Sequence, residues 1–227
     1  MMNILDKEKD IATYNFPANQ YSDEIQPKSQ IFLHHTAGNQ DPYGVYRYWE
    51  TTPERVATCI VIGGNPKRND TFIDGQIVQG YSSKYFAFHL GLKESTFHKF
   101  NLPYKSLDRI SIGLEICNWG ELTRKNGRFY TYVNTVVDDN EIIELETPFR
   151  GFKYYHNYTD SQIVSVEKLL RYWGSKYNIP LTYHNDIFDV NARALSGTPG
   201  VYTHCSVRYD KTDIYPHPKM IEMLKSL

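Results

Sequence analysis

Three short, nearly unbroken apolar runs constrain this chain more than any other feature. They lie at residues 31–33 (Ile-Phe-Leu), 59–62 (Cys-Ile-Val-Ile) and 110–117 (Ile-Ser-Ile-Gly-Leu-Glu-Ile-Cys). Runs of this length, bounded by turn residues, read as buried strands. Helical patterns stand among them. Asp41-Pro42 marks a helix start, with Val45, Tyr46 and Trp49 at helical spacing before Pro53 stops it. Thr159 and Gln162 have the spacing of a capping box. Behind them Ile163, Val166, Leu169, Leu170, Trp173 and Tyr177 form one apolar stripe, ending near Asn178 and Pro180. A last helix is predicted from about Pro218. Asp74-Gly75 reads as a turn feeding the strand-like residues 76–78.

Two regions depart from this pattern. Residues 1–29 are polar, contain Pro17 and Pro27, and read as an irregular lead-in. Residues 119–157 alternate turn signals (Asn126-Gly127, and Asp138 to Asn140) with short β-like runs, the pattern of an inserted hairpin-like region. No repeat, low-complexity tract or linker divides the chain. The prediction is one α/β domain over 1–227 with a mixed central sheet. With 227 residues such a domain buries about 70% of its unfolded surface and needs no disulfide framework.

Charge and cysteine content narrow the function. The 25 Lys and Arg nearly balance 26 Asp and Glu, so the basic excess typical of a nucleic-acid partner is missing. Cys59, Cys117 and Cys205 stand far apart with no C-x-x-C pair. They read as reduced packing thiols of a protein folded in the cytosol. The charged N-terminal decapeptide shows no secretory h-region, and no stretch reaches the roughly 18 apolar residues of a spanning helix. The expectation is synthesis as a soluble cytoplasmic protein with no membrane partner. The 19 tyrosines are an unusual number; each combines an apolar face with a polar tip that suits sugar contact.

The chemistry-bearing residues stand at strand ends. Glu115 sits inside the run at 110–117, and a carboxylate there is costly unless it is paired, protonated or used. Burial would raise its pKa toward neutrality and suit it to general acid–base work; otherwise it faces solvent or pairs with an arginine. His34 and His35 end one strand, and neighbours on a strand face opposite ways, so at most one of them enters a given site. His204 follows the short run at 201–203, and nine residues later Asp213 can fold back toward it. Two histidines and an aspartate can hold zinc and leave a fourth position open, the pattern of a catalytic site. His156, His184 and His217 read as surface or core residues. A cysteine–histidine hydrolase is the competing reading. It is weakened because Cys205 and His204 are strand neighbours, and because Glu115 shares a face with Cys117 and opposes a thiolate there.

Seven blocks then occur in an order that resembles the zinc-dependent N-acetylmuramoyl-L-alanine amidases. They are 31–38 (IFLHHTAG), 55–62 (RVATCIVI), 74–79 (DGQIVQ), 87–91 (AFHLG), 111–118 (SIGLEICN), 158–162 (YTDSQ) and 201–216 (VYTHCSVRYDKTDIYP). Together they span roughly residues 30–218. The resemblance implies the fold shared with peptidoglycan recognition proteins and phage lysozyme-like amidases, a mixed central sheet flanked by helices. It implies His34, His204 and Asp213 as zinc ligands, Glu115 and Lys211 as catalytic residues, and His89 as a groove residue contacting substrate. The implied reaction cleaves the amide between N-acetylmuramic acid and L-alanine of peptidoglycan.

Members that only recognise peptidoglycan usually lack the third ligand, which is Asp213 in this chain. Residues 118–158 resemble an insertion of some phage-type members, and a phage endolysin is the expected role. A cytosolic muropeptide-recycling amidase and a non-catalytic peptidoglycan-binding module are the alternatives. Two positions depart from the family pattern. Thr58-Cys59 stand where an aromatic or polar residue followed by histidine is common. Phe88 replaces a commoner tryptophan and is expected to keep an apolar wall.

Overall fold

The computed structural model describes residues 5–227. In chain order its elements are α1 (Lys7–Asp10), β1 (Ile11–Thr13), β2 (Gln30–His35), α2 (Pro42–Glu50), β3 (Ile60–Ile62), β4 (Ile77–Gln79), α3 (Glu94–His98), α4 (Leu107–Ile110) and β5 (Ser111–Ile116). The insertion supplies β6 (Glu121–Lys125), β7 (Arg128–Tyr130), β8 (Val136–Val137), β9 (Ile142–Phe149) and β10 (Phe152–His156). The chain closes with α5 (Asp160–Tyr177), α6 (Ala192–Ser196), β11 (Gly200–Thr203) and α7 (Pro218–Lys225).

The apolar runs form the middle of a six-stranded sheet ordered β1-β4-β3-β5-β2-β11. Strands β3, β5, β2 and β11 are parallel to one another, and β4 runs antiparallel to β3. The sheet is therefore mixed, as its sequence pattern implies. Every residue of β2 and β5 is buried, which explains why neither strand alternates in polarity: both faces are covered. Open α/β sheets bind ligands outside the carboxyl ends of their parallel strands. Here the C-terminal ends of β5, β2 and β11 lie side by side.

Helix α5 shows how local signals set its position. Thr159 Oγ1 accepts from the Gln162 amide at 3.0 Å, and Gln162 Oε1 accepts from the Thr159 amide at 3.1 Å, completing the capping box. Gln162 Nε2 also donates to the Cys117 carbonyl at 2.7 Å, fastening the first turn to the end of β5. Ile163, Val166, Leu169, Leu170 and Trp173 are buried against the sheet. Asn178 stops the helix in the left-handed region at φ 53°. Thr159→Ala removes the cap and the 2.7 Å bond from Thr159 Oγ1 to Asp74. It is expected to cost about 1–2 kcal/mol of stability, read as a lowered urea midpoint at unchanged m-value.

The structure corrects two segment readings. Residues 1–4 lie outside the described residues. The rest of the lead-in is not wholly irregular, since Ile11–Thr13 forms the edge strand β1, paired in parallel with β4. Three residues at a sheet edge, two half-buried and one exposed, carry too little periodicity to be read from sequence. The insertion is more than a hairpin. It is a five-stranded antiparallel sheet ordered β8-β7-β6-β10-β9. Its β6–β7 turn places Asn126 and Gly127 at φ 51° and 77°, as a two-residue turn matching strand twist requires. No helix among the described residues is long and apolar enough to cross a membrane.

Candidate active site

His34 near the end of β2 and Glu115 near the end of β5 are register partners, which puts both side chains on one face. His204 follows β11 directly and opens a short 3-10 turn. The chain then loops out and returns, pinned where the Cys205 amide donates to the Asp213 carbonyl at 3.2 Å. This return brings Asp213 back to the strand ends. His34 Nδ1, His204 Nδ1 and Asp213 Oδ2 form a triangle with sides of 3.1, 3.1 and 2.9 Å. Among the described residues these three are the group of buried side chains able to hold a metal ion.

Electrostatics favour that use. Burial and the neighbouring His204 lower the pKa of His34 to about 4, against the opposing pull of Asp213; a neutral imidazole is what ligation needs. Burial alone would raise the Asp213 carboxyl, but the charge and hydrogen bonds of His204 and His34 hold it well below the usual range. Glu115 behaves oppositely. Burial, reinforced by the negative charge of Asp213, raises its pKa well above the usual carboxylate range, with Lys211 opposing.

The triangle faces a cleft of about 730 Å³ lined by His34, His89, Glu115, Lys211 and Asp213, among others. Glu115 is only 8% exposed, so the solvent-facing alternative for this residue does not hold. Tyr48 of α2 and Tyr132 of the insertion stand 67% exposed at the cleft wall. Most other tyrosines pack in or against the core, with Tyr46, Tyr155, Tyr158, Tyr202 and Tyr215 among the buried ones. The tyrosine excess is thus largely structural.

The insertion braces the loop that carries Lys211 and Asp213. Thr212 Oγ1 donates to Glu121 Oε2 at 2.9 Å. Arg150, in the β9–β10 turn, donates to the Tyr209 carbonyl at 2.6 Å. Tyr215 is stacked between Tyr155 and Tyr158, with centroids 4.3 and 4.9 Å away, and its hydroxyl donates to the His156 carbonyl. Sequence reasoning missed Glu121, Tyr132 and Arg150 because nothing in their local pattern shows which loop they meet.

Other candidates stay out of the triangle. His35 turns aside and bonds Tyr158 through Nδ1 at 2.7 Å, consistent with only one of the paired histidines joining the triangle. His217 caps α7, accepting from the Met220 amide. All three cysteines are buried with raised thiol pKa values, Cys59 to about 12, so none is a ready nucleophile. Thr58 and Cys59 are buried and bond the Ile60 and Gly113 carbonyls; Val56 reaches the cleft instead. Phe88 does not wall the cleft as expected. It packs edge-on against Phe86 beside a separate shallow pocket.

His89 lines the cleft, the place expected of a groove residue, and its ring nitrogens point inward. Its ring stands edge-on to His34 with centroids 5.1 Å apart. Nδ1 is 2.9 Å from His34 Nε2, and Nε2 is 2.8 Å from Ser111 Oγ. Both ring nitrogens are therefore engaged inside the protein.

A donor triangle at the strand ends, open to a cleft that also holds a raised-pKa carboxylate and a lysine, is the arrangement of a hydrolase. The chain belongs to the N-acetylmuramoyl-L-alanine amidase family (Amidase_2), whose model matches residues 25–218. It is an amidase acting on peptidoglycan. The fold is similar to that of PlyL (TM-score 0.52, 14% identity, covering 95% of this chain and 96% of that one). It is also similar to the PlyG catalytic domain (0.52, 15%, 95% and 93%) and to the catalytic domain of XlyA (0.50, 16%, 95% and 97%). At these identities the likeness concerns the fold. No curated protein sequence matches significantly.

Proposed function

We propose that this amidase uses zinc to hydrolyse the bond between the lactyl carbonyl of N-acetylmuramic acid and the amine of L-alanine. The observation that carries the reading is the donor triangle. Zinc bonds of about 2.0–2.1 Å in a tetrahedron put donors roughly 3.3 Å apart, and the three sides here are 2.9–3.1 Å. The set of two imidazoles and one carboxylate suits zinc, and the cleft side leaves a position for solvent and substrate. His34, His204 and Asp213 would hold the ion, which when bound supplies a Lewis acid and lowers the pKa of water toward about 7.

The chain's own residues carry the remaining steps. Glu115, made a stronger base by burial, accepts the proton of the attacking water. A C–O bond forms at the lactyl carbon while Lys211 donates a hydrogen bond to the carbonyl oxygen as it gains charge. Glu115 then delivers its proton to the alanine nitrogen as the C–N bond breaks, leaving a lactyl carboxylic acid and a free amine. Tyr48 and Tyr132 offer aromatic faces to sugar rings along the cleft. Lys211→Ala is expected to lower kcat about 10²- to 10³-fold, the weight of one oxyanion donor, with KM nearly unchanged in steady-state assays.

For the biological setting we propose wall lysis by a phage endolysin released through a membrane pore. The support is the resemblance of 118–158 to the insertion of some phage-type members, together with the wall that Tyr132 adds to the cleft. Clearing of purified sacculi, abolished by a chelator and restored by zinc, is the expected result. Preference for soluble muropeptides over sacculi would instead assign a recycling role, and binding without clearing would make the protein a recognition module.

A further inference from the structure

We propose that His89 and Asp108 form a support layer beneath the donor triangle that fixes the ring orientation and proton placement of both ligand histidines. The proposal rests on the metal-amidase reading above. It makes His89 a positioning residue rather than a substrate contact.

For His34 and His204 to offer Nδ1 to a metal, each must carry its proton on Nε2. His204 Nε2 lies 2.9 Å from the Leu90 carbonyl, which can only accept, so His204 is held in the required tautomer. His34 Nε2 lies 2.9 Å from His89 Nδ1. If His89 carries its proton on Nε2, it donates to Ser111 Oγ at 2.8 Å and leaves Nδ1 free to accept from His34. Ser111 Oγ in turn has the Asp108 carbonyl at 3.5 Å as its own acceptor. A cation on the triangle selects this proton order, because the reverse order would put a hydrogen on His34 Nδ1.

One carboxylate anchors both supports. Asp108 Oδ1 accepts from the His89 amide at 2.8 Å and from the Leu90 amide at 3.0 Å. The residue that orients His34 and the residue that orients His204 are thus adjacent in sequence and tied to a single buried group. The seat for the His89 ring is also built in. A Cβ at Gly113 of β5 would lie 3.1 Å from both Cγ and Nδ1 of His89, so the missing side chain leaves room for the imidazole. Neither loop 87–91 nor residue 108 supplies a proposed metal ligand, yet both ligands' far nitrogens depend on them.

The test compares His89→Phe, which keeps a ring but removes the acceptor, with His89→Gln, whose amide oxygen can accept from His34. Asp108→Asn, which keeps one acceptor oxygen, and Asp108→Ala extend it. Zinc affinity is measured by competition with a chromogenic chelator, the cobalt-substituted proteins by visible absorption, and folding by circular dichroism. His89→Phe is expected to fold, to bind zinc about 10- to 100-fold more weakly and to shift the cobalt bands, with His89→Gln recovering much of the loss. Asp108→Asn should bind zinc more tightly than Asp108→Ala. Wild-type zinc affinity and cobalt bands in His89→Phe would overturn the proposal, and a rise in KM alone would return His89 to the substrate. Should a variant not fold, the His89→Gln and Asp108→Asn spectra decide: unaltered bands in both, beside weakened metal binding, would contradict a positioning role. Failure of the wild-type protein to bind zinc would instead remove the metal reading beneath it.

Discussion

Glu115→Gln is expected to lower amidase turnover by about 10²- to 10⁴-fold, the range for a positioned general acid–base, while bound metal stays at the wild-type level. The substitution keeps size and polarity and removes only the titrating function. Glu115 stands beside the triangle as a register partner of His34 and is not one of its three donors, so loss of activity need not follow from loss of metal. The same residue is expected to set the acid side of the pH profile. Burial raises its pKa, and the base form is the one that takes a proton from water. Activity should therefore rise with pH through a transition above the ordinary carboxylate range, and this limb should vanish in the residual activity of Glu115→Gln. Retained turnover would remove Glu115 from the mechanism.

Asp213→Ala should act through the other half of the site. It deletes one corner of the triangle and leaves His34 and His204 facing each other at 3.1 Å with no anionic donor between them. Metal content after dialysis is expected to fall from about one ion per chain toward zero, and activity with it. His204→Ala should behave alike. Excess zinc should restore part of the activity of Asp213→Ala, because two donors remain, whereas it should do nothing for Glu115→Gln. Normal metal content in both ligand variants would place the ion elsewhere.

Much of this site is legible in the sequence because its parts stand where strand patterns end. The apolar run at 31–33 delivers His34, the run at 110–117 carries Glu115, and the run at 201–203 delivers His204. These positions are fixed by backbone periodicity and need only the order of the strands to meet. Helix α5 is equally legible, since capping box and apolar stripe are local features. What sequence reading missed depends on side-chain direction across long separations. The role of His89 turns on which way its ring points from a loop, and Asp108 matters through two backbone amides 18 and 19 residues away. The edge strand β1 is only three residues long, and its partner β4 lies more than sixty residues on. The insertion's turns are visible, but the pairing of β6 with β10, which joins the β6–β7–β8 meander to the β9–β10 hairpin, is not a local property.

Cleavage of the amide between muramic acid and L-alanine can be read from the end groups of digested sacculi. New L-alanine amino termini are expected to appear in step with loss of turbidity, to stop on chelation and to be absent with Glu115→Gln. New reducing sugar ends without new alanine termini would contradict it and make the enzyme a glycosidase.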